Sequence, residues 1–497
     1  MRPTAFPSEQ ILTAGDSGWD AARRAFNLSA DQRPAAVALP RSEREVLDAV
    51  RFAREAGLRV APQSTGHNAR PLAPRLGEAL LLKASRFRGV EIDPILRRAR
   101  VTGGTLWGDV GPAAYEHGLA ALHASSPTVG VTGYSLGGGI GWFARRHGLQ
   151  ANSLTAVELV TADGELVRVD EDHEPTLFDA LRGGGGDFGV VTALEFDLYP
   201  IQHAYAGWLA WCWREALPVL RRWSDWAAEA PDAVTTSARI LRLPPDPALP
   251  AEVRGRALVA IDGAVLGDDH EAEALIAPLR ELGPEIDTFE RVPATALARL
   301  HKDLEGPTTA ITDDRLLSDL PSDAVDAFVG AAGPDSDSTL MIAELRQLGG
   351  ALARTPERHG VLPRLDGNYL LFACAVPNGT GTAVAGRAHA ERLTRALDPW
   401  SSGRRYQNFA ERPLGPDAFF EPEALTRLAA IKAEVDPDGV FRANHPVTAE
   451  APPQVCNEPR PRLRPGVART RSRGSGDRTV GPRPSSRASS GPDGPRA

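Results

Sequence analysis

The 497-residue chain is too long for one ordinary hydrophobic core, so the sequence predicts two domains. Its hydrophobic (42%) and charged (24%) contents are typical of a soluble globular protein, and no apolar run approaches the roughly 18 residues of a membrane span. Three scattered cysteines argue against a disulfide framework and against structural zinc, and no metal site is expected.

The charge distribution and the terminal segments argue against a secreted protein and against a nucleic-acid-binding protein. The N-terminus lacks the apolar stretch of about 7–15 residues found in secretory signals, so we expect a cytoplasmic protein. The net charge is −8, but residues 451–497 carry ten arginines against three acidic residues, which leaves about −15 on the preceding part. An acidic body argues against a nucleic-acid partner. The tail has nine prolines and no aromatic residue, which predicts an unstructured basic extension rather than a membrane or nucleic-acid contact.

Short strands and helices alternate through the first part of the chain. Ser42 followed by Glu45 forms a capping box, which predicts a helix that ends at Gly57. A later helix, within residues 105–117, is expected to be bent or split by Pro112. The strands predicted around these helices are residues 35–39, 58–61, 79–84, 90–93 and 99–102, and the last two are predicted to pair as a hairpin.

A small polar loop follows the second of these strands, where an α/β unit presents backbone N–H groups to a ligand. His67 is its one large side chain with reactive chemistry. The loop alone is equally consistent with a turn that carries a solvated histidine. Its members are Gln63, Ser64, Thr65, Gly66, His67, Asn68 and Ala69.

The stretch from Ser125 to Trp142 contains six glycines. Glycine loses much conformational entropy on folding, so this density predicts left-handed turns or close approach of another group to the backbone, and a bound cofactor is the simplest explanation. The stretch also contains the G-x-S-x-G pattern of a hydrolase, with Ser135 as nucleophile. The glycines after Leu136 cannot readily start the helix that such a nucleophile needs, so the hydrolase is the less favoured alternative.

A second glycine cluster, Gly184 to Gly189, has the G-x-G-x-x-G spacing of a dinucleotide-binding fingerprint. That fingerprint needs a strand before it and a helix after it. Here a helix is predicted before the cluster (175–181) and a strand after it (190–198), so we reject this interpretation. Residues 154–161 and 166–169 predict a hairpin ahead of it.

Taken together, these segments resemble the FAD-linked oxidases of the berberine bridge enzyme type, within the vanillyl-alcohol oxidase or PCMH-type superfamily. The resemblance covers roughly residues 30–447. The segments that carry it are Gly66-His67, Ser126 to Gly130 leading to Gly137 to Trp142, Arg182 to Gly185 before Phe188 to Val191, Tyr406 to Phe409, Asp436-Pro437 and Phe441 to Pro446.

The resemblance implies an α+β fold: a PCMH-type FAD-binding domain of two α/β subdomains, with an inserted substrate domain built on an antiparallel sheet covered by helices. The implied division is a lead-in (1–29), the FAD-binding domain (30–200), the substrate domain (201–400), a C-terminal return (401–447) and a disordered basic tail (448–497). Beyond residue 200 the pattern predicts strands at 205–213, 234–243, 339–345 and 369–376 and helices at 216–229, 270–282 and 422–435.

The resemblance also implies how FAD is held. His67 would be joined covalently to the flavin 8α-methyl, with Gln63 and Thr65 standing where the family often has the arginine and first glycine of R-x-G-G-H. Ser126 occupies the place of a second linking cysteine, and its hydroxyl is a far poorer nucleophile than a thiolate, so a single link is expected. The remaining implied FAD contacts are Ser64, Gly66, Asn68, Thr128, Val129, Gly130, Gly133, Gly137, Gly138, Gly139, Gly141, Gly189, Val190, Val191, Tyr406, Asn408 and Asn444.

The implied reaction is oxidation of a small alcohol, sugar, amine or natural-product ring, with electrons passed from flavin to O2. Val129 lies at the family position that admits oxygen, which favours O2 as acceptor. Tyr406 and Asn408 would line the substrate face, with Tyr406 as candidate base if neighbours lower its pKa of about 10, and Asp366 as a second possible base. A dehydrogenase with another acceptor and a non-catalytic flavoprotein stay open alternatives. No nucleic-acid or membrane partner is expected.

Overall fold

The computed structural model describes residues 11–247 and 249–448, whose strands form three separate sheets. The first ten residues of the predicted lead-in and the predicted basic tail from residue 449 onward lie outside the described residues. Among the residues described, no helix has the length and apolar character needed to cross a bilayer.

The first sheet has the order β1-β2-β4-β3, in which β4 pairs in parallel with β2 and β3. All five residues of β4 are buried, as expected for a central strand that is covered on both faces. The serine half of the predicted capping box is present, because Ser42 Oγ accepts a hydrogen bond from the Glu45 backbone N–H at 3.3 Å, and Glu45 Oε2 accepts from the Arg41 N–H at 2.7 Å. The strands are β1 (Ile11–Leu12), β2 (Ala36–Ala38), β3 (Arg59–Gln63) and β4 (Ala79–Lys83).

The second sheet is antiparallel throughout, with the order β5-β6-β9-β7-β8. Both predicted hairpins are confirmed. The glycine cluster at 184–189 follows a helix and precedes strand β9, which confirms the rejection of a dinucleotide fingerprint there. The strands are β5 (Val90–Asp93), β6 (Arg98–Thr102), β7 (Leu154–Val160), β8 (Leu166–Val169) and β9 (Val190–Asp197).

The third sheet has eight strands, and all its pairings are antiparallel. One face carries an apolar core against four helices, while the opposite face carries buried polar side chains. The strands are β10 (His203–Cys212), β11 (Val234–Arg242), β12 (Ala257–Val265), β13 (Ile286–Asp287), β14 (Glu290–Pro293), β15 (Ile311–Leu317), β16 (Ile342–Gln347) and β17 (Tyr369–Ala375).

Three helices, α6, α7 and α11, have the predicted bounds. Pro112 lies inside α3 without splitting it, which corrects the expectation of a break. The helices are α1 (Trp19–Ala22), α2 (Glu43–Glu55), α3 (Trp107–Tyr115), α4 (Val131–Leu136), α5 (Ala144–His147), α6 (Pro175–Leu181), α7 (Ala216–Glu229), α8 (Asp269–Arg280), α9 (Ser322–Ala332), α10 (Thr380–Ala396) and α11 (Pro422–Val435).

The segment after α11 returns to the first sheet, where Phe441 forms a parallel bridge with Val60 in β3. The return therefore lies beside the loop that follows β3, which is the predicted cofactor loop. The described part of the chain therefore has the α+β architecture that the family resemblance implies. Two smaller sheets are followed by a larger antiparallel sheet that is covered by helices.

Candidate functional site

The loop that follows β3, residues 63–68 and here called the histidine loop, is held by backbone hydrogen bonds. Phe26 N–H donates to Thr65 O at 3.0 Å, and Asn27 N–H donates to Gly66 O at 3.2 Å. Gly66 has a φ of +80°, and a Cβ there would lie 2.9 Å from Ala25 Cβ. A side chain at this position would strain the backbone and collide with its neighbour, so glycine is required.

The ring of His67 is held on two sides. Thr65 Oγ1 lies 2.7 Å from Nδ1, and the Phe26 ring stacks on the imidazole with centroids 3.7 Å apart and an interplanar angle of 14°. Burial lowers the pKa of His67 to about 4, so the imidazole is neutral at pH 7.

The histidine loop meets the start of the glycine stretch, as the family resemblance implies. His67 Nε2 lies 3.5 Å from Thr128 Oγ1, which in turn lies 3.1 Å from Ser126 Oγ. A Cβ at Gly130 would lie 2.4 Å from Ser64 Oγ, so these two loops are in van der Waals contact. Residues about sixty positions apart in the sequence thus form one cluster of small polar groups.

The left-handed turns and close backbone approaches that the glycine stretch predicts are both present, and most of the close approaches are made by other residues of the protein. A Cβ at Gly137 would lie 2.0 Å from Asn408 Oδ1, and one at Gly141 would lie 2.0 Å from His123 O. Gly138 and Gly139 have φ of +117° and +85°. Gly133 differs, because it is exposed and a Cβ there would meet nothing within 4 Å. Of these glycines, Gly133 is the one left open to a ligand.

The environment of Tyr406 opposes its predicted role as a base. Its oxygen accepts hydrogen bonds from Gly139 N–H at 2.8 Å and from Asn408 Nδ2 at 3.1 Å, and the residue is 1% exposed. Burial raises the pKa of Tyr406 well above its ordinary value. The phenol therefore fixes the backbone of the glycine stretch at Gly139. Asn408 fixes the same stretch at a second point, because its Nδ2 donates to Tyr134 O at 2.9 Å.

The glycine cluster at 182–189 is fastened to the C-terminal return. Lys432 Nζ lies 3.1 Å from Asp187 Oδ1 and 2.8 Å from Asp436 Oδ2. Val447 N–H donates to Asp187 Oδ2 at 3.0 Å. The buried ion cluster thereby sets the position of the loop.

The predicted FAD contacts just after this cluster contribute to the core. A Cβ at Gly189 would lie 2.5 Å from Leu159 Cδ1. Val190 and Val191 are 2% and 6% exposed, and their side chains pack in two different apolar clusters. Only their backbone is available to a cofactor.

The return also contacts the histidine loop directly. Asn444 Nδ2 donates to Asn68 O, and Asn68 Nδ2 donates to Gln407 O at 3.0 Å. Three parts of the chain that the resemblance assigned to FAD binding therefore adjoin one another.

Two predicted candidates, Asp366 and Ser135, lack the partners that their predicted roles need. Asp366 lines a surface cleft of about 610 Å³ with Arg404 and Glu421, and it pairs with Arg364 at 3.4 Å. Ser135 is fully buried, and its Oγ has no hydrogen-bond partner in the described part of the chain. A serine hydrolase also needs a histidine later in the chain, for which His445 would be the candidate, but His445 Nε2–H donates to Ala410 O at 2.8 Å.

A buried charge network on the polar face of the third sheet was missed by sequence reasoning. Arg346 Nε donates to Glu344 Oε1 at 2.8 Å, and Arg346 Nη2 lies 3.0 Å from His301 Nε2. His301 Nδ1 lies 2.7 Å from Asp262 Oδ2. Burial raises the pKa of Glu344, but the positive charge of Arg346 and its neighbours outweighs burial and lowers it to about 2. The sequence signal that could have revealed this network is the pair of opposite charges at Glu344 and Arg346. Residues two positions apart in a strand lie on the same face of the sheet.

Aromatic rings connect this network to the return. Arg346 lies over the Phe409 ring at 5.3 Å, and Phe409 contacts Tyr406 and Phe372 with ring centroids 5.4 and 5.0 Å apart. Trp142, which ends the glycine stretch, packs on His301 at 4.7 Å. The polar face of the third sheet therefore faces the glycine stretch and the return.

Glu411 is a second group that the sequence did not reveal. Asn27 Nδ2 donates to its Oε2 at 2.9 Å, and the residue is half-buried. Burial raises the pKa of Glu411 to about 7, against the opposing effects of Arg70 and Asn27. A carboxyl group that titrates near neutral pH is suited to proton transfer.

Unpaired polar atoms around these loops fit FAD. Among the side-chain atoms that are buried without a hydrogen-bond partner within the described ranges, four oxygens belong to the histidine loop, the glycine stretch and the return, and buried polar groups are normally paired. They include both acceptors and hydroxyl donors, which a nucleotide cofactor with phosphate, ribityl and amide groups can satisfy. These atoms are Ser64 Oγ, Asn68 Oδ1, Ser135 Oγ and Gln407 Oε1.

Comparison with known proteins agrees with this arrangement. A family model described as an FAD binding domain matches residues 34–170, and one described as berberine and berberine like matches residues 405–448. The chain is 28% identical over 458 residues to (R)-6-hydroxynicotine oxidase of Paenarthrobacter nicotinovorans, covering 89% of this chain and 97% of that one. The chain therefore contains an FAD binding domain and a berberine-like segment, and it is similar along most of its length to an FAD-linked oxidase.

Solved structures support the same family. The structure of 6-hydroxy-D-nicotine oxidase from Arthrobacter nicotinovorans superposes with a TM-score of 0.75 at 27% identity, covering 88% of this chain and 98% of that one. BBE-like 1 of Physcomitrella patens has the same fold, with a TM-score of 0.75 at 20% identity over 88% and 97% of the two chains. Glucooligosaccharide oxidase of Sarocladium strictum is 31% identical over 216 residues, which are 42% of this chain and 43% of that one.

This berberine bridge enzyme-like protein is therefore an FAD-linked oxidoreductase that acts on a small molecule. FAD supplies hydride acceptance and electron transfer, while the protein supplies binding and orientation. The residues that would hold FAD are those of the histidine loop, Ser126 to Gly133, and the return around Asn444.

Proposed function

We propose that the protein is an oxidase that takes a hydride from a C–H bond of a small alcohol or amine and delivers the electrons to O2. The observation that carries the proposal is the junction of His67 with Thr128 and Ser126 at the start of the glycine stretch. The names of the relatives, oxidases of 6-hydroxynicotine and of oligosaccharides, support such donors.

The substrate is proposed to lie between the return and the polar face of the third sheet. Phe372 and Phe409 are half-buried there and offer a flat apolar wall, while Glu344 and Arg346 offer paired charges. One relative that aligns across most of the chain, including the substrate-domain sequence, is the hydroxynicotine oxidase, so ring-bearing amines and alcohols are the first compounds to test.

Glu411 is proposed as the group that accepts the substrate proton, in place of Tyr406 and Asp366. Its carboxyl group is half-buried and receives a side-chain hydrogen bond from the neutral Asn27, whereas the Glu344 carboxylate is held by Ser237 and by the charged Arg346. Since only the ionised form accepts a proton, the rate of flavin reduction should rise with pH through about 7, the pKa of Glu411.

The flavin is proposed to be covalently attached through His67 alone, because Ser126 lacks a thiolate. Asn408 and Tyr406 would then support the flavin site by fixing the glycine stretch rather than by proton transfer.

Anaerobic stopped-flow absorbance tests the proposal. A panel of ring-bearing amines, alcohols and sugars should include a compound that bleaches the flavin, and admission of air should restore the colour and release hydrogen peroxide. If no compound bleaches the flavin, or if reoxidation needs an added acceptor, the oxidase assignment fails. Glu411→Gln should slow bleaching by about 10²-fold or more and remove its pH dependence, whereas Glu421→Gln, an exposed carboxylate of the same return, should not.

Oxygen access has its own test at Val129, which is half-buried against the core of the second sheet. Val129→Leu should slow reoxidation by air much more than it slows bleaching, because the longer side chain would fill the space that O2 enters. Val129→Ala is the matched control and should reoxidise at least as fast as the wild type. Equal reoxidation rates in all three proteins would remove Val129 from the argument.

A further inference from the structure

Two arginines close to Glu411 lack an acidic partner. Arg70 follows the histidine loop and is half-buried, while Arg387 is exposed on α10. Within the described ranges, neither guanidinium forms a hydrogen bond or an ion pair. Charged groups that are partly withdrawn from water are normally paired, so Arg70 is available to bind an anion.

The two arginines and Glu411 are close enough to influence one another. Burial lowers the pKa of Arg70, and the positive charge of Arg387 lowers it further, against the opposing effect of Glu411. Glu411 does not neutralise the pair, because burial raises its own pKa to about 7 and it already accepts a hydrogen bond from Asn27 at 2.9 Å. The region therefore carries an excess of positive charge near pH 7.

The backbone places these side chains at one end of the third sheet. Strand β15 begins beside Ala375, the last residue of β17. A Cβ at Gly386, which precedes Arg387 in α10, would lie 2.7 Å from Ala375 Cβ. Asn27, which donates to Glu411, forms a bridge with the chain just before β15. Arg387 and Glu411 therefore both lie where β15 begins and β17 ends.

This end of the sheet borders the proposed substrate space. Cys374 lies on the same face of β17 as Phe372, which is part of the proposed apolar wall. Burial raises the pKa of the Cys374 thiol, and the carboxylates of Glu411 and Glu344 both raise it further. Glu411 and Glu344 therefore border one space, and Arg70 lies at its margin.

We propose that Arg70, assisted by Arg387, binds an anionic group of the substrate, which is therefore an organic acid whose hydroxyl or amine reaches Glu411. The inference rests on the proposed function and names its substrate class. A guanidinium presents two parallel N–H donors to the oxygens of a carboxylate or phosphate, and this contact is stronger than one with a neutral group. Arg387 is exposed, so it adds the attraction of a second charge that salt can screen.

Ligand binding to the oxidised holoenzyme tests the inference without turnover. Benzoate and phenyl phosphate carry an anion on an aromatic ring and have no oxidisable hydroxyl or amine, and benzamide is the uncharged counterpart of benzoate. In titrations followed by the flavin absorbance spectrum, one of the two anions should bind at least about 10-fold more tightly than benzamide, as expected for hydrogen bonds between charged groups. The better anion identifies carboxylate or phosphate as the group that is recognised.

Variants assign the anion to Arg70. Arg70→Gln should weaken binding of the better anion by about 10- to 10²-fold and leave the affinity for benzamide unchanged. Arg70→Lys keeps the charge without the fork and should recover part of the loss, and Arg387→Gln should have a smaller effect than Arg70→Gln. Arg395→Gln is the matched control on α10, because this exposed arginine pairs with Glu391 at 2.9 Å, and it should change nothing. Anions that bind no better than benzamide, or an unchanged anion affinity in Arg70→Gln, would overturn the inference.

Substrate oxidation gives an independent check. Arg70 lowers the pKa of Glu411, so the comparison is made at about pH 9, where Glu411 is ionised. For an acid that bleaches the flavin, Arg70→Gln should raise the concentration needed for half-maximal bleaching by about 10-fold or more, but not for the methyl ester of that acid. Equal increases for acid and ester would overturn the inference and leave the oxidase proposal intact. If no compound bleaches the flavin, the oxidase proposal fails, while the titrations still decide whether Arg70 binds an anion.

Discussion

The buried Lys432 allows a quantitative prediction, because it holds two carboxylates that have little access to solvent. Lys432 Nζ contacts Asp187 Oδ1 at 3.1 Å and Asp436 Oδ2 at 2.8 Å, and the two carboxylate side chains are 2% and 0% exposed. Lys432→Met keeps most of the side-chain stem but leaves both charges unpaired. Removal of one partner from a buried ion cluster typically costs about 3–5 kcal/mol, so we expect the free energy of unfolding to fall by that amount.

The pH dependence of this loss follows from Asp187. Burial raises the pKa of Asp187 above its ordinary value, while Lys432 lowers it. Without the ammonium group the pKa in the folded state rises further, so the folded variant binds a proton that the unfolded chain does not. Its stability therefore recovers as the pH falls, and the difference from wild type should be smaller at pH 5 than at pH 8.

Urea unfolding followed by tryptophan fluorescence measures the change, since the chain has nine tryptophans. Arg427→Met is the matched control on the same helix, because its pair with Asp179 at 3.5 Å is half-exposed and should be worth at most about 1 kcal/mol. Adding Asp187→Asn to Lys432→Met should restore part of the loss. A loss no larger than that of Arg427→Met would refute the reasoning.

Three further predictions concern the glycine stretch and α5, the short helix that follows it. Tyr406→Phe leaves the Gly139 N–H without its acceptor, so it should lower stability by about 1–3 kcal/mol and leave the pH dependence of flavin reduction unchanged; a loss of that dependence would restore Tyr406 as the base. Gly137→Ala places a Cβ 2.0 Å from Asn408 Oδ1 and should reduce bound flavin, measured by absorbance per chain, whereas full occupancy would contradict the steric argument. Arg145→Met removes donors to three backbone carbonyls, including Val234 O at 2.7 Å, and should lower the thermal midpoint; an unchanged midpoint would show that water replaces the guanidinium.

Local chemistry in the sequence determined much of the fold. The capping box at Ser42, the helix bounds of α6, α7 and α11, and both early hairpins depend on side chains within a few positions of one another, so they could be predicted. The succession of the histidine loop and the two glycine clusters was enough to indicate the family. It also indicated that His67 and Ser126 share one site.

The chemical state of each site residue was decided only by the tertiary structure. The pKa of Tyr406 and of Glu411 depends on burial and on partners such as Asn27, which lies 384 positions from Glu411. The glycines of the stretch are explained by close contacts with residues of the return, such as Asn408 against Gly137, which no local pattern encodes. Thr65 departs from the family pattern in the sequence, yet folding places its hydroxyl on the His67 ring, because a hydrogen bond depends on distance and direction in space rather than on resemblance to a motif.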